Sequence, residues 1–314
     1  QPIIGYSLLI PHHHTLSGVY PAAVPPPDSH FTPSPDAYSG LLSFLAQRGC
    51  HGELLLGTTG EGPSFSAAER IKIFQAASQA RHGLTGFRLL AGTGTPSLDE
   101  TIAITRFAFD LGFDGVVVLP PYYFRKVSDD GLFEWFSQVL RRAVPSGGAL
   151  LAYHIPPITG IGFSHDLLAR LLETFPGRFV GVKDSSNDPQ NARLLGERFG
   201  KDLLVLNGND RLFSTALQAQ ASGCITAVAN LRSPDLRQVW DSFQAGTPTQ
   251  AAQARLDAVR TVLERYQPFP PIIKSLLAQE HGLPYWFVRP PLLPVPNHTL
   301  NAVLAELSAA LQPL

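Results

Sequence analysis

The sequence predicts an α/β protein, a (β/α)8 barrel of the TIM type with a C-terminal helical extension, on three observations. Eight short apolar runs rich in β-formers lie between residues 18 and 228. Most are near-continuously hydrophobic instead of alternating, the pattern of parallel strands covered on both faces. Strand ends at 57, 92, 119, 154 and 184 recur about every thirty residues, the length of one strand–helix unit. An open doubly wound sheet is the competing arrangement. No G-x-G-x-x-G follows its first strand, and Gly92-Thr-Gly94 is too short a match to support it.

In chain order the expected strands are Gly18–Val24, Glu53–Gly57, Phe87–Gly92, Gly115–Leu119, Ala149–His154, Phe179–Asp184, Leu203–Leu206 and Cys224–Val228. Amphipathic segments separate them. Ser66-Ala-Ala-Glu69 has the form of a capping box and starts a helix that runs to about Arg81. Ser97-Leu-Asp-Glu100 does the same ahead of Ile102–Leu111. Past Asn230 the strands stop. Pro234–Ala245, Thr249–Tyr266, Ile272–Gln279 and Leu300–Leu311 read as helices, broken by Pro268–Pro271 and Pro290–Pro296. The expected divisions are an N-terminal extension (1–17), the barrel (18–232) and a C-terminal helical region (233–314).

Composition narrows the function. The chain has 314 residues, 44% hydrophobic and 16% charged, enough for a large core. A net charge of −1 without a basic stripe argues against nucleic acid and anionic membranes as partners. No apolar run approaches a membrane span. Cys50 and Cys224 are too few for a disulfide framework or a cysteine metal site, so a reduced, cytoplasmic protein is expected. The run Ile3–Ile10 lacks a basic flank and a small-residue cleavage site, so a secretory leader is not expected. The chain starts at Gln1 and has no methionine, so residue 1 need not be the translated start. Pro11-His-His-His14 reads as a solvated polar tract in preference to a metal site.

Catalytic groups of such barrels sit at the C-terminal ends of the strands. Lys183 ends the sixth strand in Phe179-Val-Gly-Val-Lys-Asp-Ser-Ser186. Burial beside Val180 and Val182 disfavours the charged ammonium, and a neutral amine attacks carbonyls to form a Schiff base. Tyr153 ends the fifth strand at similar height, and its hydroxyl can shuttle the proton that imine formation requires. Gly57-Thr-Thr-Gly-Glu61 follows the second strand and offers amides and threonine hydroxyls to a small carboxylate. Pro120-Pro-Tyr-Tyr-Phe124 follows the fourth and offers two phenols. Taken singly, each feature has a plain alternative: a solvated lysine, core tyrosines, a simple turn.

Taken together and in order, Gly57-Thr-Thr-Gly-Glu61, Pro121-Tyr-Tyr123, Tyr153-x-x-Pro156, Gly181-Val-Lys-Asp-Ser-Ser186, Gly208-Asn-Asp210 and Gly223-x-Ile225 with Asn230 resemble the dihydrodipicolinate synthase / N-acetylneuraminate lyase family of Schiff-base pyruvate aldolases. The resemblance runs from about Gly18 to Pro291. It implies Lys183 as the imine-forming lysine, Tyr153 as the proton-transfer residue, and Thr58 as the link from Tyr153 to Tyr123. In the family that last tyrosine reaches a neighbouring subunit, which implies a homodimer or homotetramer. Thr58, Thr59 and the amides near Gly57 would hold the pyruvate carboxylate, with Gly208 and Ile225 lining the pocket. Glu61 is expected to be structural, closing its turn. No metal or organic cofactor is expected, because the lysine serves as the electron sink.

One departure bears on substrate. The family's dihydrodipicolinate synthases carry a carboxylate-binding arginine after the tyrosine, and this chain has Ile158 there. Arg125 is a possible substitute. The Gly-Pro of Gly60-Glu-Gly-Pro-Ser-Phe-Ser66 is closer to the family's sugar-acid aldolases. His154 is expected to pack away from the site. The leading expectation is a lyase joining or cleaving pyruvate and an aldehyde, with 2-keto-3-deoxy sugar acids as the favoured class. The alternatives are a dihydrodipicolinate synthase or related 2-oxo acid synthase or dehydratase, and a non-catalytic 2-oxo acid binding homologue.

Overall fold

The computed structural model describes residues 13–312. Most of the N-terminal extension, with His12, lies outside the described residues; His13 opens a short 3-10 helix ending at Leu16. Eight parallel strands follow: β1 (Gly18–Pro21), β2 (Gly52–Leu55), β3 (Arg88–Gly92), β4 (Gly115–Val118), β5 (Leu150–His154), β6 (Phe179–Asp184), β7 (Leu204–Asn207) and β8 (Gly223–Thr226). Each pairs with its sequence neighbour, and β1 pairs with β8. A parallel bridge from Ala22 to Leu54 joins β1 to β2 and closes the (β/α)8 barrel.

The helices between them begin where the sequence provides side-chain acceptors. These are α1 (Pro35–Gln47), α2 (Ala67–Ala80), α3 (Leu98–Asp110), α4 (Asp129–Ala143), the single turn α5 (Pro156–Thr159), α6 (His165–Thr174), α7 (Pro189–Phe199) and α8 (Phe213–Gln218). Ser34, Ser66, Ser97, Ser128, Ser164 and Asp188 each cap a free N–H of the first turn. Ser66 and Glu69 form the expected reciprocal box. At Ser97 only the serine half forms, and α3 starts at Leu98, four residues before the expected apolar stretch. Capping, not hydrophobic periodicity, sets that boundary.

The C-terminal helices are α9 (Ala229–Gln244), α10 (Gln250–Leu263), α11 (Phe269–His281) and α12 (Asn297–Leu311). Each is where an expected helix lay. The prolines mark their irregularities: α9 is kinked at Arg232 ahead of Pro234, and Pro270 and Pro271 occupy the first turn of α11, where no donor is missed. No helix among the described residues is long and apolar enough to cross a membrane.

Side chains sort into two shells. Tyr20, Leu54, Leu90, Val117, Leu151 and Leu206 fill the barrel interior. Val19, Leu55, Leu89, Val116, Leu150 and Val205 pack outward beneath the helices. Glu53 breaks the apolar rule. It is fully buried, and neither carboxylate oxygen has a hydrogen-bond partner among the described residues. Burial pushes its carboxyl up to about 8. A raised folded-state value means the folded protein holds the proton more tightly than the unfolded chain. Below the ordinary carboxylate range both states are protonated. As pH rises towards 8 the unfolded chain sheds its proton first and the fold is weakened. Glu53→Gln is therefore expected to stabilise the protein near pH 7 by on the order of 3 kcal/mol, at about 1.36 kcal/mol per pKa unit. The gain should vanish near pH 4, as measured by denaturant unfolding across that range.

Candidate active site

The site begins with an irregularity in β6. In β5 the alternation is regular: Leu151, Tyr153 and Ile155 face the barrel interior, while Leu150 and Ala152 face the helices. In β6 Phe179 faces out and Val180 faces in, yet Val182 faces out again. The register shows why. Leu150 pairs with Phe179 but Leu151 pairs with Gly181, so β6 carries one extra residue, a β-bulge. Beyond it Tyr153 pairs with Lys183. Without the bulge Tyr153 would stand beside Val182, and Lys183 would point under the helices. Gly181 permits the close approach: a Cβ there would lie 2.5 Å from the Leu204 carbonyl oxygen.

Lys183 is thus only 2% exposed, with its Nζ 4.0 Å from the centroid of the Tyr153 ring. The Tyr153 hydroxyl lies 3.1 Å from Thr58 Oγ1. Burial alone would raise the phenol. The Lys183 charge, with hydrogen bonds to Thr58, Lys183 and Ser185, outweighs burial and holds Tyr153 below the usual tyrosine range. A phenol in that state can give and take a proton beside an amine.

A cavity of about 440 Å³ opens above these groups. Thr58, Thr59, Tyr153, Lys183, Gly208 and Ile225 line its inner part. The Gly208 N–H donates to Asp184 O at 2.7 Å, and a Cβ at Gly208 would lie 2.0 Å from Ser185 Oγ. Gly57 is not part of the lining; its carbonyl accepts the Gly62 N–H at 3.0 Å within the turn. Tyr123 stands apart within one chain. It is 77% exposed and packs edge-on against Phe124 at 5.4 Å.

The other residues singled out from the sequence are also placed. Ile158 lines the cavity mouth. Arg125 lies over Gly160, outside the cavity lining. The His154 Nδ1 accepts the Phe163 N–H at 3.0 Å, a packing role, and burial holds its imidazole below the usual range. The Glu61 N–H donates to Thr58 O at 3.1 Å within the turn, but the side chain has another role. Its side chain does not close the turn: it forms a buried ion pair with Lys274 of α11 and accepts the Arg289 N–H at 3.3 Å. Glu61 also adopts a left-handed φ of 56°, which aims it at α11.

Sequence reasoning missed Ser185 and Arg260. Ser185 directly follows the lysine motif, and that adjacency was the available signal. Arg260 had none: at four residues before Glu264 on α10 it reads as an ordinary surface helix pair, yet it is 6% exposed and lines the cavity.

Fold and site define a barrel enzyme with a buried amine in the lining of a cavity large enough for a small-molecule substrate. A family model described as the dihydrodipicolinate synthetase family matches residues 15–310. An uncharacterized DapA-like lyase of Chloroflexus aurantiacus is 39% identical over 266 residues, 85% of this chain and 87% of the relative. A 4-hydroxy-tetrahydrodipicolinate synthase of Methanosphaerula palustris is 32% identical over 234 residues, 74% of this chain and 77% of that protein. Among solved structures, YagE of E. coli K12 in complex with pyruvate superposes with a TM-score of 0.87 at 23% identity, covering 94% of this chain and 98% of that one. The chain belongs to the dihydrodipicolinate synthetase family, and it is a carbon–carbon lyase of the class I aldolase type.

Gly181→Ala tests the role of the bulge. Its Cβ would meet backbone, which cannot rotate away. The variant is expected to lose on the order of 100-fold in kcat/KM through misplacement of Lys183, while far-UV circular dichroism stays that of the parent fold.

Proposed function

We propose that Lys183 forms a Schiff base with pyruvate and that the resulting enamine exchanges a carbon–carbon bond with an aldehyde. The observation that supports this is the Lys183–Tyr153–Thr58 array: a buried amine against a phenol that is itself hydrogen-bonded to a hydroxyl. The amine adds to the pyruvate carbonyl. Tyr153 protonates the carbinolamine hydroxyl, which departs as water, and the resulting imine loses a methyl proton to become the enamine. The enamine carbon attacks the aldehyde, and the proton relayed through Tyr153 and Thr58 quenches the new alkoxide. Hydrolysis frees the product, and cleavage runs the steps in reverse. Thr59 and the neighbouring amides would hold the pyruvate carboxylate as neutral donors. The YagE complex with pyruvate is in keeping with that substrate.

The favoured aldol class is a 2-keto-3-deoxy sugar acid. Ile158 cannot pair with a carboxylate, and the polar lining residues Ser185, Asn187 and Gln267 suit hydroxyl groups. The identity to a 4-hydroxy-tetrahydrodipicolinate synthase keeps that reaction as the second reading. A binding protein without catalysis would have no use for the buried nucleophile.

Borohydride reduction in the presence of pyruvate is expected to leave one stable adduct on Lys183, located by peptide mass spectrometry. Folded protein that yields no adduct with any 2-oxo acid would sink the proposal. We further propose a homo-oligomer in which Tyr123 and Phe124, exposed in one chain, enter a partner's surface. Phe124→Asp should then lower the mass seen by sedimentation and reduce kcat by roughly 10-fold or more through loss of a positioned proton-transfer group; an unchanged mass would count against that interface.

A further inference from the structure

The cavity lining carries a second charged group, Arg260, that the reaction at Lys183 does not use. Among the described residues, only Lys183 and Arg260 are charged groups in the lining, and no carboxylate joins them. Arg260 comes from α10, outside the barrel. Its Nη1 donates to Asp210 Oδ2 at 2.9 Å and its Nε to Glu264 Oε1 at 2.9 Å. Its guanidinium also lies 4.8 Å from the centroid of the Phe269 ring. Two carboxylates and a ring therefore fix the plane of the fork before any ligand arrives. Two of its five N–H donors are engaged, and the others have no acceptor among the described residues. Neighbouring groups add donors. Asn187, held at a left-handed φ of 61°, accepts from Asn209 Nδ2 at 2.9 Å through its carbonyl oxygen, which leaves its amide hydrogens for the cavity.

Arg260 shares Glu264 with Arg211, which pairs with it at 2.7 Å, so the two carboxylates Asp210 and Glu264 face two guanidiniums and Arg260 keeps unengaged N–H donors at the cavity. A fixed, planar donor fork is how proteins recognise planar or tetrahedral anions. We infer that Arg260 selects an aldehyde acceptor with an anionic terminus, a carboxylate or a phosphate, at the end remote from the carbonyl. The inference rests on the Schiff-base reading of Lys183 and narrows its sugar-acid class to doubly acidic aldols. One acid group sits by Thr58 and Thr59, and the other by Arg260.

Kinetics with pyruvate and three acceptors test this: glyceraldehyde, glyceraldehyde 3-phosphate and succinate semialdehyde. At least one anionic acceptor should exceed glyceraldehyde in kcat/KM by about 10-fold or more, the worth of one charge-assisted contact; which one does so tells phosphate from carboxylate. Arg260→Met paired with Asp210→Asn removes both buried charges together and should abolish most of that preference, while Arg260→Lys should retain part of it. Wild-type enzyme that treats the neutral and anionic acceptors alike overturns the inference, as does a preference that survives in the paired variant. Should the paired variant fail to fold, the wild-type ratio decides alone. Borohydride trapping separates the two proposals. An adduct on Lys183 without anionic preference overturns this one only, and no adduct overturns both.

Discussion

The geometry of this enzyme depends on one extra residue in β6. Strand side chains alternate with a period of two, so a single inserted residue exchanges the two faces of everything that follows. The Val180–Gly181 bulge turns Lys183 inward at the level of Tyr153. An amine in that position has lost most of its contact with water, a costly state unless neighbours interact with it. Tyr153 supplies its ring face and its hydroxyl, and Lys183 in return draws the phenol towards ionisation. Neither residue would have its present character without the other. Their pairing comes from backbone register, which side-chain flexibility could not replace.

The turn that carries Thr58 and Thr59 is made rigid from outside the barrel. Thr58 and Thr59 belong to a loop with little regular structure of its own. Arg70 of α2 donates to three of the carbonyls around it: Gly62 at 2.7 Å, Phe65 at 3.1 Å and Gly94 at 3.2 Å. On the other side Glu61 meets Lys274 of α11, whose Nζ also donates to the Phe287 carbonyl at 2.6 Å. Burial lowers the Lys274 ammonium, and the Glu61 carboxylate opposes that shift. Such a buried pair contributes little net stability, but removing either partner strands a charge. Its effect is one of position. It ties the C-terminal helices to the turn that carries Thr58, so the helical extension is part of the active site's frame.

Much of this was legible in the sequence because it is local. Strands came from continuous apolar runs, helix starts from serines followed by free N–H groups, and Lys183 and Tyr153 from their places at successive strand ends. The remainder is set by partners distant in the chain. Glu61 was read as closing its turn, and no local rule connects it to Lys274, over two hundred residues later. Arg260 has the spacing of a solvated helix pair, and only the fold of α10 over the barrel rim buries it. The bulge at Gly181 leaves a trace in the sequence, two apolar residues and a glycine before the lysine, but a buried parallel strand is apolar on both faces and so hides its own parity.

The lining of the cavity also limits how protons can move. Among the described residues it contains no carboxylate and no imidazole, since His154 faces the other shell. The groups able to carry a proton next to Lys183 are the Tyr153 phenol and the hydroxyls of Thr58 and Ser185. A phenol in an ordinary setting is a poor base near neutral pH. The charge that brings Tyr153 closer to that range is the lysine's own. In the proposed reaction an iminium at Lys183 would carry the same charge, so the phenol would again be drawn towards ionisation at the stage where a methyl proton is removed.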